Sequence, residues 1–434
     1  MGISAIIGDD MTGCMDAGVQ LTKKGYCVNV AVNIDNYELL TQAGDVVIVD
    51  TESRNIKAED AYRKVKYCIR SIYESGYRLI YKKVDSTLRG NIGSELMAVL
   101  QSDKIDLAVF VAALPYNKRT TRDGIHYLDS KKLTENDIAK DPFSPLQSAY
   151  IPEIIGEQVS IKTTVVNLYE VRRGINNLAL KLEASYKEGY RIAVVDAEAE
   201  EDLIIIADAL KRCEISVLAC GSAGLLSYIL DEKSGGWEWT KETFTRKDGP
   251  ILVLSGSPAE ATKLQIKTAA NYGVKVLKLD ITKCAKQDSG HQNEFAKIKK
   301  EALWFLSRGE DIVIDGAGAG KTQIYEEYKN DIDTMRNVSQ IIQSTLSEIF
   351  DSLNHEVNLG GAVIVGGDTA FNICNRLSVR GLKIIGEVEP FVPCGKAIGG
   401  KLHEMNIITK AGGFGSDDVI LKSIKHLKGE GYHG

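Results

Sequence analysis

Six polar side chains, Lys82, Lys83, Asp85, Ser86, Thr87 and Arg89, fall within one short stretch of the chain. They follow Leu79, Ile80 and Tyr81, which with Val84 have the apolar, aromatic or β-branched character of a buried strand. Gly90 and Gly93 then break regularity, and Ser94-Glu95-Leu96-Met97 begins a helix. In an open α/β sheet, ligands bind beyond the carboxyl ends of the strands. Cations, a carboxylate and hydroxyls gathered at such a place suit a small, anionic, hydroxylated ligand. The competing explanation is an ordinary solvated turn. The variety of groups converging before the helix favours a site.

Two other loops carry related chemistry. Ile6-Ile7-Gly8 runs into Asp9-Asp10-Met11-Thr12-Gly13, and a helix opens near Asp16. Asp9 and Asp10 at a strand end suit a sugar hydroxyl or a metal-water shell, although Asp10 or Thr12 also suits a helix N-cap. Val46–Val49 leads into Asp50-Thr51-Glu52-Ser53-Arg54. A guanidinium binds a carboxylate through two parallel hydrogen bonds, so Arg54 is read as a carboxylate clamp.

The second half of the chain repeats a strand, glycine and helix order. Ile251–Leu254 leads into Ser255-Gly256-Ser257-Pro258-Ala259-Glu260, where Ser257 is expected as N-cap with Glu260 as its capping-box partner. Ala362–Val365 meets Gly366-Gly367-Asp368-Thr369 before another helix. Backbone N–H groups at such helix starts bind anions. Asp368 suits a magnesium-water shell or a proton acceptor, and equally an N-cap. Ile407–Thr409 leads into Lys410-Ala411-Gly412-Gly413, a turn suited to lie along a nucleotide. Asp315–Thr322 resembles a phosphate-binding Walker loop, but Asp315 stands where its first glycine belongs and Gly316 is one residue too close to Gly320-Lys321.

These loops must be carried by alternating strands and amphipathic helices, which argues for doubly wound parallel sheets. The helix after Arg54 is expected to be capped by Asn55, to bury Ala61, Val65, Cys68 and Ile72, and to close at Gly76. With 434 residues, the chain is too long for one ordinary core. The polar stretch Asp231–Gly249 separates an expected domain at 1–235 from another at 248–434.

A net charge of −6 without a Lys/Arg tract argues against nucleic acid as a partner. The eight cysteines lack CxxC spacing and the six histidines lack metal-binding spacing, so reduced core thiols and a cytoplasmic location are expected, with no residue assigned as a metal ligand. No targeting segment or membrane-length apolar run is visible. The sequence leaves homo-oligomerisation open.

Lys82-Lys83-Val84-Asp85-Ser86-Thr87-Leu88-Arg89-Gly90, the Gly8–Gly13 motif and Gly366–Ala370 together resemble the four-carbon acid sugar kinase family, over Ile6 to about Asp418. The resemblance implies two α/β domains with the active site in the cleft between them, ATP and magnesium as cofactors, and a sugar-acid substrate such as threonate or erythronate. Arg54, Lys83 and Arg89 would hold the substrate carboxylate; Asp9, Asp85 and Ser86 its hydroxyls; Asp10 and Lys82 complete the substrate loops. Ser255, Gly366, Gly367, Asp368, Thr369, Gly412 and Gly413 would meet ATP. Asp85 and Asp368 remain alternative proton acceptors. A P-loop NTPase centred on Lys321 and a two-domain anion sensor are the rival readings. Lys118, and Asp129-Ser130, stand where family members carry glycine, so a diverted loop is expected there.

Overall fold

The computed structural model describes residues 4–36, 40, 44–102, 104–136, 139, 144–233, 246–284, 289–319 and 331–430. The chain divides into two compact α/β units, Met1–Gly236 and Trp237–Gly434.

In the first unit, β1 (Ser4–Gly8), β2 (Val28–Ala31), β3 (Val46–Asp50), β4 (Arg78–Lys83) and β5 (Leu107–Val111) alternate with α1 (Met11–Thr22), α2 (Ala58–Glu74) and α3 (Ile92–Leu100). A small antiparallel sheet follows: β6 (Arg119–Arg122), β7 (Ile125–Leu128) and β8 (Lys131–Lys132). Then come α4 (Ile151–Gln158), β9 (Thr163–Val166), α5 (Leu168–Arg172), α6 (Ile175–Lys187), β10 (Ile192–Val195), α7 (Glu200–Arg212), β11 (Val217–Gly221) and α8 (Ala223–Ile229). The main sheet has the order β2-β3-β1-β4-β11-β5-β10-β9, with every pair parallel. Strands such as Val46–Asp50 and Leu107–Val111 are buried throughout, which is why they read as continuous apolar runs.

The register sets the site. Gly8 lies opposite Asp50, Ile7 opposite Lys82, and Gly221 opposite both Lys83 and Val111. The strands therefore end flush, and their following loops share one edge. Gly221 sits at φ +141, and a Cβ there would lie 1.9 Å from the Val111 carbonyl oxygen. Only glycine permits that approach.

In the second unit, β12 (Ile251–Ser255), α9 (Glu260–Asn271), β13 (Lys275–Asp280), α10 (Ile281–Cys284), α11 (Ser289–Leu306) and β14 (Ile312–Ala319) precede α12 (Ile332–Glu356). β15 (Gly361–Val365), α13 (Gly367–Arg376), β16 (Gly381–Glu387), β17 (Pro393–Ile398), β18 (Asn406–Lys410) and α14 (Val419–Leu427) complete it. The order is β13-β14-β12-β15-β18-β17-β16, parallel except at β16–β17 and β17–β18. Its core joins Ile251, Val253, Val363 and Ile408 to Ile420 and Ile424 of α14.

Several local expectations need correction. Helix α2 starts at Ala58 with Lys57 as N-cap and no side-chain capping bond, so Asn55 does not cap it. Ala61, Val65, Cys68 and Ile72 do form its buried face, and Gly76 follows it at φ +76. The N-cap of α9 is Ala259, not Ser257, and α13 begins at Gly367 after a Gly366 cap, with Asp368 inside its first turn. Lys118 does not divert its loop: it takes the left-handed conformation itself, at φ +54, as do Asp129 at φ +50 and Ser130 at φ +65. A left-handed non-glycine residue costs about 1–2 kcal/mol, offset in part by its lower unfolded-chain entropy. Lys118→Gly should therefore stabilise the chain by about 0.5–1 kcal/mol in urea unfolding, despite losing the exposed Lys118–Asp129 contact.

Among the described residues, no helix is long and apolar enough to cross a membrane.

Candidate functional sites on the two units

At the carboxyl edge of the first sheet, Asp9, Asp10 and Arg54 are drawn together from two loops. Arg54 donates from Nε to Asp9 Oδ2 at 2.9 Å and from Nη2 to Asp9 Oδ1 at 3.0 Å. Nη2 also donates to Asp10 Oδ1 at 2.5 Å. The two-bond face expected to clamp a substrate carboxylate is thus occupied by Asp9. The Nη1 end makes no hydrogen bond among the described residues and is the part of Arg54 available to a ligand. Asp10 also caps α1, accepting from the Gly13 N–H at 3.0 Å, so the capping role and the site role coexist. Burial opposes ionisation of Asp9, but Arg54, with Lys82 and Lys83, holds its carboxyl below the usual range.

Gly13 marks the centre of this cluster. A Cβ there would lie 2.5 Å from Asp10 Oδ1, 3.2 Å from Lys83 Nζ and 3.6 Å from Arg54 Nη2. Lys83 and Arg54 therefore approach the same point at the start of α1. Lys82, its neighbour on β4, faces the other way. It is fully buried, and its Nζ pairs with Glu95 Oε2 at 2.5 Å. Ser53 Oγ donates to the other Glu95 oxygen at 2.6 Å. Burial disfavours the Lys82 ammonium, but Glu95 and Asp9 outweigh it and keep it charged. Lys82 is therefore placed to tie α3 beneath the loops and not to meet a ligand, contrary to its expected substrate role.

The third loop is internally braced. Asp85 Oδ2 accepts from Thr87 Oγ1 at 2.5 Å and from Arg89 Nε at 2.5 Å. Burial pushes the Asp85 carboxyl up, but Arg89 and Arg54 hold it well below the usual range. Leu88, at φ +61 and buried, keeps this loop in a strained turn. Ser86 is half-buried, and its carbonyl accepts from His126 Nε2 at 3.0 Å, while Thr121 Oγ1 lies 3.1 Å from His126 Nδ1.

His126, Glu95, Ser53 and Asp50 were not legible as site neighbours. Asp50 is buried; burial and the nearby Asp10 and Asp9 raise its carboxyl well above the usual range.

His126 gives a pH prediction. Burial pushes its imidazole down to about 4, so the unfolded chain, with an ordinary histidine, takes the proton first. Its contribution to stability is complete above pH ~6.5 and is lost as pH falls toward 4, a change of about 3 kcal/mol. The stability gap between the native chain and His126→Gln in urea titrations should shrink by about that amount between pH 7.5 and 4. A gap that stays constant would mean His126 remains solvated.

On the second unit, three glycine turns pack against one another at the ends of β12, β15 and β18. A Cβ on Gly256 would lie 2.3 Å from Thr369 Oγ1, and one on Gly412 would lie 2.1 Å from Ser257 Oγ. Gly366, at φ +116, sits against Thr369 as well. The Gly366 N–H donates to the Lys410 carbonyl at 2.8 Å, and Gly256 N–H to the Val365 carbonyl at 3.2 Å. Around Gly413 there is open space. Ser255 lies in register with Asp315 and Val365; its hydroxyl is buried and has no hydrogen-bond partner among the described residues. Asp368 Oδ2 accepts from Gln343 Nε2 at 3.3 Å. The nearby side chains Ser255, Asp315, Asp368 and Thr369 offer oxygen donors, the hard ligands magnesium takes. In the sequence Asp315 stands out only as the residue in place of a Walker glycine. Its Oδ1 accepts from the Ala317 N–H at 3.0 Å, turning its own loop. Lys321 and Thr322 lie outside the described residues.

Residues 4–229 match a family model described as a sugar-binding N-terminal domain, and residues 252–420 one described as a nucleotide-binding C-terminal domain. A D-threonate kinase of Salmonella typhimurium is 34% identical over 98% of this chain and 98% of its own. A D-erythronate kinase of Heliobacterium modesticaldum is 28% identical over 97% and 96%. A crystal structure of another Salmonella typhimurium protein superposes with a TM-score of 0.76 at 22% identity, covering 98% of this chain and 99% of that one, a likeness of fold.

Proposed function

Because the chain belongs to the four-carbon acid sugar kinase family, we propose that it transfers the γ-phosphoryl group of ATP to the terminal hydroxyl of a four-carbon sugar acid such as D-threonate or D-erythronate. The observation that carries the reading is the mutual packing of the Gly256, Gly366 and Gly412 turns at the ends of parallel strands. A protein that only sensed a small anion through its first unit would have no use for a second, phosphate-type set of backbone donors.

The first unit binds the acid. Arg54, through Nη1, and Lys83 meet the carboxylate; Asp9, Asp10, Asp85 and Ser86 orient the hydroxyls, with Arg89 bracing Asp85. Ser255, Gly366 to Thr369 and Gly412-Gly413 of the second unit bind ATP. Ser255 and Asp315, in register on neighbouring strands, would hold magnesium, which neutralises charge on the β- and γ-phosphates when bound. The attacking hydroxyl oxygen forms a bond to phosphorus as the bond to the ADP oxygen breaks, and its proton leaves to a carboxylate. Asp85 is a poor acceptor because Arg89 and Arg54 hold it ionised far down the pH scale. Asp368 is the better one. Positioning and charge neutralisation carry most of the rate, so the acceptor's share is modest.

Thermal shift tests the division of labour. Magnesium-ATP alone and the sugar acid alone should each raise the melting temperature. Gly412→Val should abolish the ATP shift and keep the acid shift. A protein stabilised by neither ligand would contradict the reading.

A further inference from the structure

Lys410 ends β18 and is 1% exposed. Its Nζ donates to three carbonyl oxygens of the turn that follows: Ala411 at 2.9 Å, Gly412 at 3.1 Å and Phe414 at 2.8 Å. An ammonium has three N–H donors and no acceptor, so this arrangement uses the protonated side chain completely. The same turn is fastened from α9 by neutral groups only. Thr262 Oγ1 donates to the Gly412 carbonyl at 2.8 Å, and Gln265 Nε2 to Phe414 and Gly415 at 3.1 and 3.0 Å. Gly412 also lies hard against Ser257, where a Cβ would come within 2.1 Å of the serine Oγ. The Lys410 backbone carbonyl meanwhile accepts from Gly366, linking the amine's own residue to the other glycine turn.

We propose that Lys410 is a positioning residue: its ammonium holds the Gly412-Gly413 turn in the shape that receives ATP, and nucleotide affinity falls when the amine loses its proton. The inference rests on the ATP reading of the second unit. Neutral lysine has two N–H donors and a lone pair, so one of the three carbonyls then faces a lone pair and the turn loosens.

Burial pushes the Lys410 amine down to about 8, with Glu389 opposing that fall. Glu389 is itself engaged, accepting from Lys422 Nζ at 3.1 Å and from Ser416 Oγ at 2.7 Å. α14 also brings Asp418, which pairs with Lys422 at 2.9 Å. α9 presents Thr262 and Gln265, with Glu260 held by Lys263, and α13 carries Asp368 in its first turn. The amine therefore titrates in the range where an enzyme assay can follow it.

The test is ATP affinity by calorimetry with magnesium in excess, from pH 7.5 to 9.5, on the full chain and on Lys410→Met and Lys410→Arg. Phosphate groups finish ionising near pH 6, so ATP itself contributes little to this window. The native chain should lose about tenfold in affinity across it, the equivalent of one hydrogen bond to a charged group. Lys410→Met should bind about tenfold more weakly at pH 7.5 and show no dependence on pH. Lys410→Arg, which stays protonated, should also be flat with pH. A native chain whose affinity is constant from pH 7.5 to 9.5 overturns the inference, whatever the variants do. So does a Lys410→Met variant with native affinity. A native chain that fails to bind ATP at pH 7.5 overturns the nucleotide reading and this inference with it.

Discussion

Replacing Arg54 with alanine should lower kcat/KM for the sugar acid by about 10³, equivalent to about 4 kcal/mol of transition-state stabilisation. Two effects add. The substrate carboxylate loses a charge-assisted hydrogen bond from Nη1, worth about 1.5–3 kcal/mol. Asp9 and Asp10 lose the guanidinium that holds them and face an anionic substrate as two carboxylates short of their main counter-charge. Arg54→Lys should recover only part of the loss. An ammonium can replace the charge, but its three N–H groups cannot reproduce the three bonds Arg54 makes to Asp9 and Asp10 and also serve a ligand. ATP affinity should be unaffected in both variants. An Arg54→Ala enzyme within tenfold of the native one would show that the carboxylate is held elsewhere.

Lys82→Met should leave the ligand loops without their underpinning and destabilise the first unit by about 3–5 kcal/mol. The pair it breaks is wholly buried, at 0% and 1% side-chain exposure, so Glu95 would remain as an unpaired carboxylate in the core. In a unit of this size, about 3–5 kcal/mol corresponds to a fall in melting temperature of about 10 °C. The double variant Lys82→Met/Glu95→Leu should regain most of that stability, because it removes the stranded charge as well. Scanning calorimetry on the three chains separates the cases. A Lys82→Met chain of native stability whose KM for the acid has risen would instead restore Lys82 to the ligand.

The adjacent lysines illustrate what could be read in the sequence and what could not. Strand-end position makes both candidates, and period-two alternation says that they face opposite ways. It does not say which of them faces the ligand. That was decided by Glu95 and Ser53, whose pairing spans 42 positions and leaves no periodic trace. Asp9, Asp10 and Arg54 were legible as neighbours because parallel strands end flush and their loops share an edge. The bidentate bond between Arg54 and Asp9 was not, since charge alone does not reveal whether a guanidinium faces protein or ligand.

Strands buried on both faces, such as Val46–Asp50, announced themselves as apolar runs. The antiparallel pieces did not. β6 reads Arg-Thr-Thr-Arg and β16 contains two glycines, so neither shows a strand's pattern strongly. Through β7, that missed hairpin supplies His126, and with it the brace on Ser86. At Ser257, local capping chemistry competed with the tight packing of Gly412, which turned the serine toward the glycine turn and moved the helix start to Glu260.

The most direct test is ADP release from magnesium-ATP against a panel of four-carbon sugar acids, with three- and five-carbon acids as controls. The expected result is stoichiometric ADP formation with D-threonate, D-erythronate or a close analogue, and little with the shorter or longer acids. ADP formation that is independent of any added acid, or silence across the panel from a chain that binds ATP, would contradict the assignment of a four-carbon sugar acid as the phosphoryl acceptor.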